Sequence, residues 1–420
     1  MSSKPITLAI CGAGSRGLLS YAPYALKHPD ELKVVAVAEP REWFRDEAMK
    51  RHKIPAKSVF SDWREMAAKE KLADAVLVAT QDSLHKEPAI AFIKKNYDVL
   101  LEKPMACNET DCREIAEAAR GRKSIFALCH VLRYTPYFRR MKAIVESGVL
   151  GQIATVRHIE PVGFWHQAHS YVRGNWRNEK LSSPMILSKS CHDMDILLFI
   201  LGKKCLRISS FGSLMHFRKE NKPKNAEARC LDCPLADNKC PYSAKAFYMK
   251  MVNDGNFGWP LSVICTEMTP VGVEKALRKG PYGRCVYSCD NDVVDHQIVS
   301  MLFENETTAS FTMTAFTPKM HRETDIFGSL GCLRGDGNII KVTNFLTGRT
   351  DEFDVNRESG DITGGHGGGD EGLMKDFVKA VRARDFSLLS SGPEVSLESH
   401  MMAFAAERSR RNNTVERIEL

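Results

Sequence analysis

Apolar runs and polar breaks alternate along the first 130 residues in a way that predicts strands and helices in turn. Ile6–Cys11 is a short apolar run of buried-strand length, and it passes into Gly12-Ala13-Gly14-Ser15-Arg16-Gly17, a glycine-spaced turn that opens a helix. Val34–Ala38 is a second apolar run and ends on Glu39. A charged helical stretch, Glu42–His52, follows, and Ser61-Asp62-Trp63 reads as a helix start capped by Ser61 or Asp62. Ala73–Thr80 is apolar almost throughout and predicts a buried strand, His85–Lys95 is amphipathic at helical spacing, and Asp98–Leu101 is a short strand running into Glu102-Lys103-Pro104. Helix Glu109–Arg120 and strand Ile125–Cys129 complete the series. Strands apolar on both faces and separated by helices predict a parallel, doubly wound α/β sheet.

Ligands on such sheets bind beyond the carboxyl ends of the strands. The chemistry-bearing residues collect there. Gly12 allows a tight turn, Gly14 lets the backbone approach a pyrophosphate, and Gly17 lets helix and strand pack closely. Ala13, Ser15 and Arg16 complete a loop whose helix N-terminus faces phosphate charge. Glu39, about 20 residues further on, is placed to accept from an adenosine ribose 2′-OH, which predicts NAD over NADP. Arg41 could soften that preference by binding a 2′-phosphate. Thr80 and Gln81 end one strand, and Glu102-Lys103-Pro104 ends the next. Lys103, extended before a proline, can hydrogen-bond a substrate hydroxyl and stabilise the charge that develops as the hydroxyl becomes a carbonyl. The alternative is a lysine paired with Glu102 at the surface.

Composition narrows the class. A chain of 420 residues exceeds one ordinary core and predicts two domains. Its net charge of +7 is spread out, with short basic clusters only at Arg408–Arg411 and Arg120–Lys123, which argues against a nucleic-acid partner. There is no run of the roughly 18 apolar residues that a membrane helix needs, and no apolar leader precedes the first strand, so a cytoplasmic protein is expected. Thirteen cysteines without a secretory signal read as reduced thiols rather than a disulfide framework.

In the second half, "SKSCHDMDILLFIL" predicts a buried helix whose first turn carries His192 and Asp195, three residues apart, with Asp195 a candidate substrate ligand. A histidine suits the removal of a hydroxyl proton as hydride leaves the carbon, although a capping or core histidine is the alternative. Glu160–Asn178 is dense in polar and aromatic side chains: His166, His169, Arg173, Trp165, Tyr171 and Trp176 could form a sugar-binding wall. His166 and His169 could instead be structural or bind metal. Arg133 and Tyr134, just after the last N-terminal strand, are expected to enter the same cleft.

With "ATQDSLH" at Ala79–His85, Glu102-Lys103-Pro104, the glycine loop and "CHDMD" at Cys191–Asp195, the chain resembles the Gfo/Idh/MocA oxidoreductases over nearly its whole length. The resemblance implies an N-terminal Rossmann domain (1–130), and His85 joins the expected cofactor site with the motif that carries it. It also implies a C-terminal α/β domain (131–420) with a large, mostly antiparallel open sheet whose back often forms a dimer interface. A homodimer or tetramer is expected, as is a C-terminal segment returning to the Rossmann domain. It further implies that Lys103 and His192 serve hydride transfer. Many relatives carry an aspartate four residues before this histidine, where Ser188 stands here, and Lys189 follows it. That departure makes an inositol-dehydrogenase-type trio doubtful and brings Lys189 in as a charge near substrate.

Two segments lie outside the family pattern. An insertion at about 219–289 holds Cys230-Leu231-Asp232-Cys233 and Cys240, metal-ligand spacing for structural zinc. Cys265, Cys285 and Cys289 are candidates for the fourth ligand, Cys285 being preferred; an iron–sulfur cluster or free thiols are the alternatives. Gly364-Gly365-His366-Gly367-Gly368-Gly369-Asp370 is a glycine-rich loop that either flexes passively or delivers His366 to substrate. It resembles the loop of the NAD-dependent glycosidase branch. The reading is an NAD-dependent oxidoreductase acting on a sugar or polyol hydroxyl. A redox-neutral NAD-dependent glycosidase, and a nicotinamide-binding regulator without turnover, are the alternatives.

Overall fold

A computed structural model describes residues 4–318, 321–355 and 366–419. Six strands form the first sheet: β1 (Ile6–Cys11), β2 (Leu32–Ala38), β3 (Val59–Phe60), β4 (Ala75–Val78), β5 (Asp98–Leu101) and β6 (Phe126–Leu128). All pair in parallel, in the order β3-β2-β1-β4-β5-β6. The order reverses between β1 and β4, and the crevice at that switch point is the expected ligand site. Both faces are covered, which is why the strands read as unbroken apolar runs. Leu8, Ile10, Leu77 and Leu100 meet Leu373, Met374, Phe377 and Val381 of the helix Gly369–Ala383. Ala9, Cys11, Val76, Val78 and Val99 face the other way, toward Ile115, Leu397 and Met401.

The glycine turn opens a helix, but its first turns, Ser15–Tyr21, are wound wider than an α-helix, with Ala22 N–H donating to Gly17 O at 3.1 Å. The α-helix proper is only Pro23–Lys27. A Cβ on Gly17 would lie 2.1 Å from Gly12 O. That contact is how closely helix and strand pack.

The second sheet has nine strands: β7 (Ile153–Pro161), β8 (Cys205–Ser213), β9 (His296–Phe303), β10 (Thr308–Thr314), β11 (Glu323–Gly328), β12 (Gly331–Gly335), β13 (Ile339–Asn344), β14 (Thr350–Asp354) and β15 (Glu416–Arg417). The order is β14-β13-β12-β11-β7-β10-β9-β8-β15, and only β7 and β10 pair in parallel. One face packs on the helices Pro136–Glu146 and Cys191–Leu201 through Phe138, Met141, Met194, Leu197, Val299 and Phe311. The alternation of β9 shows the half-buried pattern: Gln297, Val299, Met301 and Phe303 point inward, and Ile298 and Ser300 point outward. The helix Pro393–Asn412 spans both domains. Leu397 and Met401 join the Rossmann core, while Met402, Ala403, Ala405 and Ala406 join the second core. The insertion between β8 and β9 has its own small core of Cys230, Ala244, Tyr248, Met251, Val252, Leu261, Val273, Leu277 and Tyr282. Among the described residues no helix is long and apolar enough to cross a membrane.

Candidate active site

The glycine loop leaves β1 at the switch point. Gly12 has φ +94°, and a Cβ there would lie 2.4 Å from Ala79 O, so the turn admits only glycine. Glu39, 2% exposed, follows β2 directly and accepts from Ala13 N–H at 2.8 Å and from Arg41 Nε at 2.7 Å. The carboxylate therefore braces the loop, and the Arg41 guanidinium is already engaged by it. The residues present fit a dinucleotide: a glycine turn that a Cβ would obstruct, and a buried acid at the end of the neighbouring strand.

Arg16 points from the loop into the crevice rather than to solvent. Its Nε lies 2.5 Å from Glu102 Oε1 and its Nη2 2.7 Å from Asp370 Oδ1, with the guanidinium 4.5 Å over the Tyr21 ring. Tyr21 donates to Glu102 Oε1 at 3.0 Å, and Glu102 Oε2 accepts from Lys103 N–H at 2.5 Å. Thus the partner of Glu102 is Arg16, not the Lys103 ammonium. Lys103 Nζ instead reaches across to Ser188 O at 2.8 Å, in the turn before His192. His85 ties the two strand ends together: its Nδ1 lies 2.7 Å from Pro104 O and its Nε2 3.3 Å from Thr80 O. Thr80 Oγ1 donates to Leu84 O, and Gln81 precedes the turn Asp82–Leu84.

His192 is 4% exposed, and its Nδ1 makes no hydrogen bond among the described residues. Burial, then the Lys103 charge, push its pKa well below the ordinary imidazole value. It is therefore neutral, as a base must be. Its ring centroid lies 6.0 Å from that of His366 and 6.1 Å from that of His130. His366 adopts φ +54°, followed by Gly367 and Gly368 at +60° and +84°, and Asp370 Oδ1 holds its Nδ1 at 3.2 Å. Gly364 and Gly365 of the same loop lie outside the described residues.

Asp193, the residue after His192, belongs to a buried charge network. Arg322 reaches Asp193 Oδ1 with Nε and Glu160 Oε2 with Nη2, both at 2.6 Å. Lys189 Nζ is 3.3 Å from Glu160 Oε1, and His158 Nε2 is 3.1 Å from Asp193 Oδ1. Burial lowers the Lys189 pKa, while the charge of Arg322 helps hold Asp193 below the usual carboxylate range. Sequence reasoning named Lys189 but missed Arg322, Asp193 and His158, and it took Glu160 only as the start of a segment. Asp193 and Arg322 are 129 positions apart, so no local spacing could join them.

Several residues expected to touch substrate have their polar groups occupied by the protein. Arg133 makes a bidentate pair with Asp195 at 2.7 and 2.8 Å, at 4% and 1% side-chain exposure, so the two form a buried strut. Tyr134 pairs its hydroxyl with Ser391. Arg173 donates to Arg284 O and Tyr242 O, both at 2.7 Å, and so pins the insertion. Trp176 Nε1 donates to Asp82 Oδ2 at 2.8 Å, a bridge between the domains. His166 and His169 are buried among other rings. The His169 ring stacks on Tyr282 at 4.8 Å and shares a hydrogen bond with Tyr248 at 2.6 Å, and the His166 ring lies 5.0 Å from Trp259. Trp259, Tyr248 and Tyr282 come from the insertion, so the insertion packs its rings against the segment 160–178. His400 accepts from Met105 N–H at 2.8 Å and faces Ser396 O at 2.6 Å, fixing the backbone just after Pro104.

Cys230, Cys233, Cys240 and Cys285 all line one small cavity. As placed, no three His, Cys, Asp or Glu side chains among the described residues form a group able to hold a metal ion.

Two family models match the chain: the NAD-binding Rossmann fold of the Gfo/Idh/MocA oxidoreductases over residues 6–130, and the C-terminal α/β domain of the same family over 142–420. The chain belongs to the Gfo/Idh/MocA family of NAD-binding oxidoreductases. YteT of Bacillus subtilis (strain 168), named as an oxidoreductase, is 22% identical over 410 residues, covering 91% of either chain. The 2,7-anhydro-N-acetylneuraminate hydratase of Escherichia coli (strain K12) is 30% identical over 133 residues, 32% of this chain and 35% of that one. A levoglucosan dehydrogenase solved with NADH and levoglucosan shares the fold at TM-score 0.74 and 17% identity, covering 99% of this chain and all of that one.

Proposed function

We propose that the protein is an NAD-dependent dehydrogenase acting on the hydroxyl of a sugar or polyol. The observation that carries this reading is the reach of Lys103 Nζ from the end of β5 to Ser188 O at 2.8 Å, four residues before the buried His192, whose pKa the Lys103 charge helps to lower. NAD, when bound, supplies the hydride acceptor. One N–H of the Lys103 ammonium is taken by Ser188 O, which leaves two for a substrate oxygen. That ammonium stabilises the oxygen as negative charge builds, and His192 accepts the hydroxyl proton. The aromatic wall of His166, His169 and Trp259 suits the face of a ring substrate. Relatives named for levoglucosan and for an anhydro-sialic acid support a cyclic sugar. On the outer face of the large sheet, Phe211 lies opposite Ile298 at 59% and 49% exposure, which supports association of copies through that face.

The 6.0 Å spacing of His192 and His366 favours one second reading, a redox-neutral glycosidase in which His366 serves the leaving group. Purified protein, NAD and a panel of sugars, polyols and aryl glycosides separate the two when NADH absorbance and aglycone release are followed together. NADH formation with a free sugar is the expected result. Aglycone release without net NADH would replace the dehydrogenase reading with the glycosidase one. Tight NAD binding with neither signal across the panel would leave a cofactor-binding regulator.

A further inference from the structure

The sequence insertion ends in a cluster that the proposed chemistry does not use. Cys230 and Cys233 come from one turn, Cys240 from the next, and Cys285 from the strap that returns to the domain body. These three separate segments bring four cysteines to the lining of one cavity of about 60 Å³. Among the described residues, the other side chains around it include Arg173 and Lys239 but no carboxylate. Arg173 Nη2 points at Cys230 Sγ at 3.5 Å. The cavity thus combines soft donors with positive charge. Four thiolates around a divalent ion carry a net charge of −2, which Arg173 and Lys239 would balance. A hard cation such as magnesium or calcium would find no carboxylate among these side chains.

The insertion also needs a fastening. Its core is nine buried apolar side chains, and a segment of roughly 70 residues with so small a core lies where structural metals and disulfides are commonly required. Yet all thirteen cysteines are unpaired in the structure.

We propose that Cys230, Cys233, Cys240 and Cys285 form a closed thiolate site for one thiophilic metal ion, zinc being the ion that fits a four-sulfur donor set. The four cysteines line the cavity without forming a coordination shell, so binding would draw their side chains inward, and each bound sulfur would release its proton to solvent. The ion would fasten the insertion to the helical turn Gln167–Arg173, because Arg173 already joins Cys230 Sγ, Tyr242 O and Arg284 O. That turn carries His169, whose ring stacks on Tyr282 of the insertion. The metal site would therefore hold the substrate wall and leave the cofactor loop untouched.

The test uses the full-length protein prepared without chelator, and it needs no substrate. Elemental analysis is expected to give close to one zinc per chain. Mercurial titration of the native protein in the presence of a zinc-sensing dye is expected to release that zinc as four thiols react. Cys240→Ser and Cys285→Ser are each expected to lose the metal and melt at lower temperature while still binding NAD. Cys332→Ser, on β12, is expected to retain metal. The site is overturned by metal-free protein whose four cysteines are free or disulfide-linked by mass mapping, or by metal that persists in both cluster variants. Should the variants fail to fold, the wild-type metal content and the thiol-coupled release decide the question alone.

Discussion

Replacing Arg322 with methionine tests the buried charge network around Asp193. Arg322 is the shared cation of two buried carboxylates, Glu160 and Asp193, each 2.6 Å away, at 11% side-chain exposure against 1% and 0%. Removing one partner of a buried pair costs about 3–5 kcal/mol, because the other charge stays buried and uncompensated. Lys189 at 3.3 Å from Glu160 and His158 at 3.1 Å from Asp193 remain as partial substitutes, so the low end, about 3 kcal/mol, is expected. In thermal unfolding at neutral pH that is a loss of about 3–5 °C. The sign with pH follows from Asp193. Arg322 helps to hold its carboxyl below the usual range, so the associated stability is present above the unfolded carboxylate pKa and is lost as pH falls through the folded one. The gap between wild type and Arg322→Met should thus be widest near pH 7 and shrink below about pH 4. The positive charge of Arg322 also contributes to lowering the His192 pKa. In the variant the acid limb of kcat/KM should move to higher pH, a shift that simple destabilisation does not produce. Arg322→Lys should recover part of both effects, since one ammonium cannot reach two carboxylates as the guanidinium fork does. Equal melting of wild type and Arg322→Met at pH 7 would refute the argument.

Lys103→Met should lower kcat by about 100- to 10,000-fold, while NAD affinity measured by fluorescence changes little; an unchanged kcat would remove Lys103 from the chemistry. Glu39→Ser should raise NADP affinity relative to NAD by freeing Arg41, which Glu39 now engages at 2.7 Å, and a ratio unmoved by the substitution would remove Glu39 from cofactor choice. His366→Ala should weaken substrate binding but leave NADH formation in a dehydrogenase, whereas abolished aglycone release in a glycoside assay would assign His366 to cleavage. Burial pushes His169 and His400 down to about 3, so below the unfolded value the unfolded chain binds protons that the folded one does not. Between pH 6.5 and 5 each should remove about 2 kcal/mol of stability. A melting temperature that rises over that interval, or a His400→Gln variant with the wild-type slope, would contradict this.

The sequence by itself determined the sheet and its cofactor end. Runs such as Ile6–Cys11 and Ala75–Val78 are apolar at every position because parallel strands are covered on both faces. Gly12 is legible because its positive φ and its approach to Ala79 O leave no room for a side chain. Lys103 and His192 could be nominated because each sits at the end of a recognisable element, a strand before proline and the first turn of an apolar helix. Tertiary structure decided what those side chains meet. Local spacing pairs Glu102 with Lys103, but folding gives Glu102 to Arg16 and sends Lys103 to Ser188, 85 positions away. It turns Arg133 and Asp195 from expected substrate ligands into one strut, because two opposite charges at nearly complete burial must satisfy each other. It also brings the Arg322 charge to bear on His192 and Trp259 against His166. Periodicity reports which face of an element is buried. It carries no record of which distant strand or insertion will supply the partner, and a buried charge takes its partner from whatever the fold packs beside it.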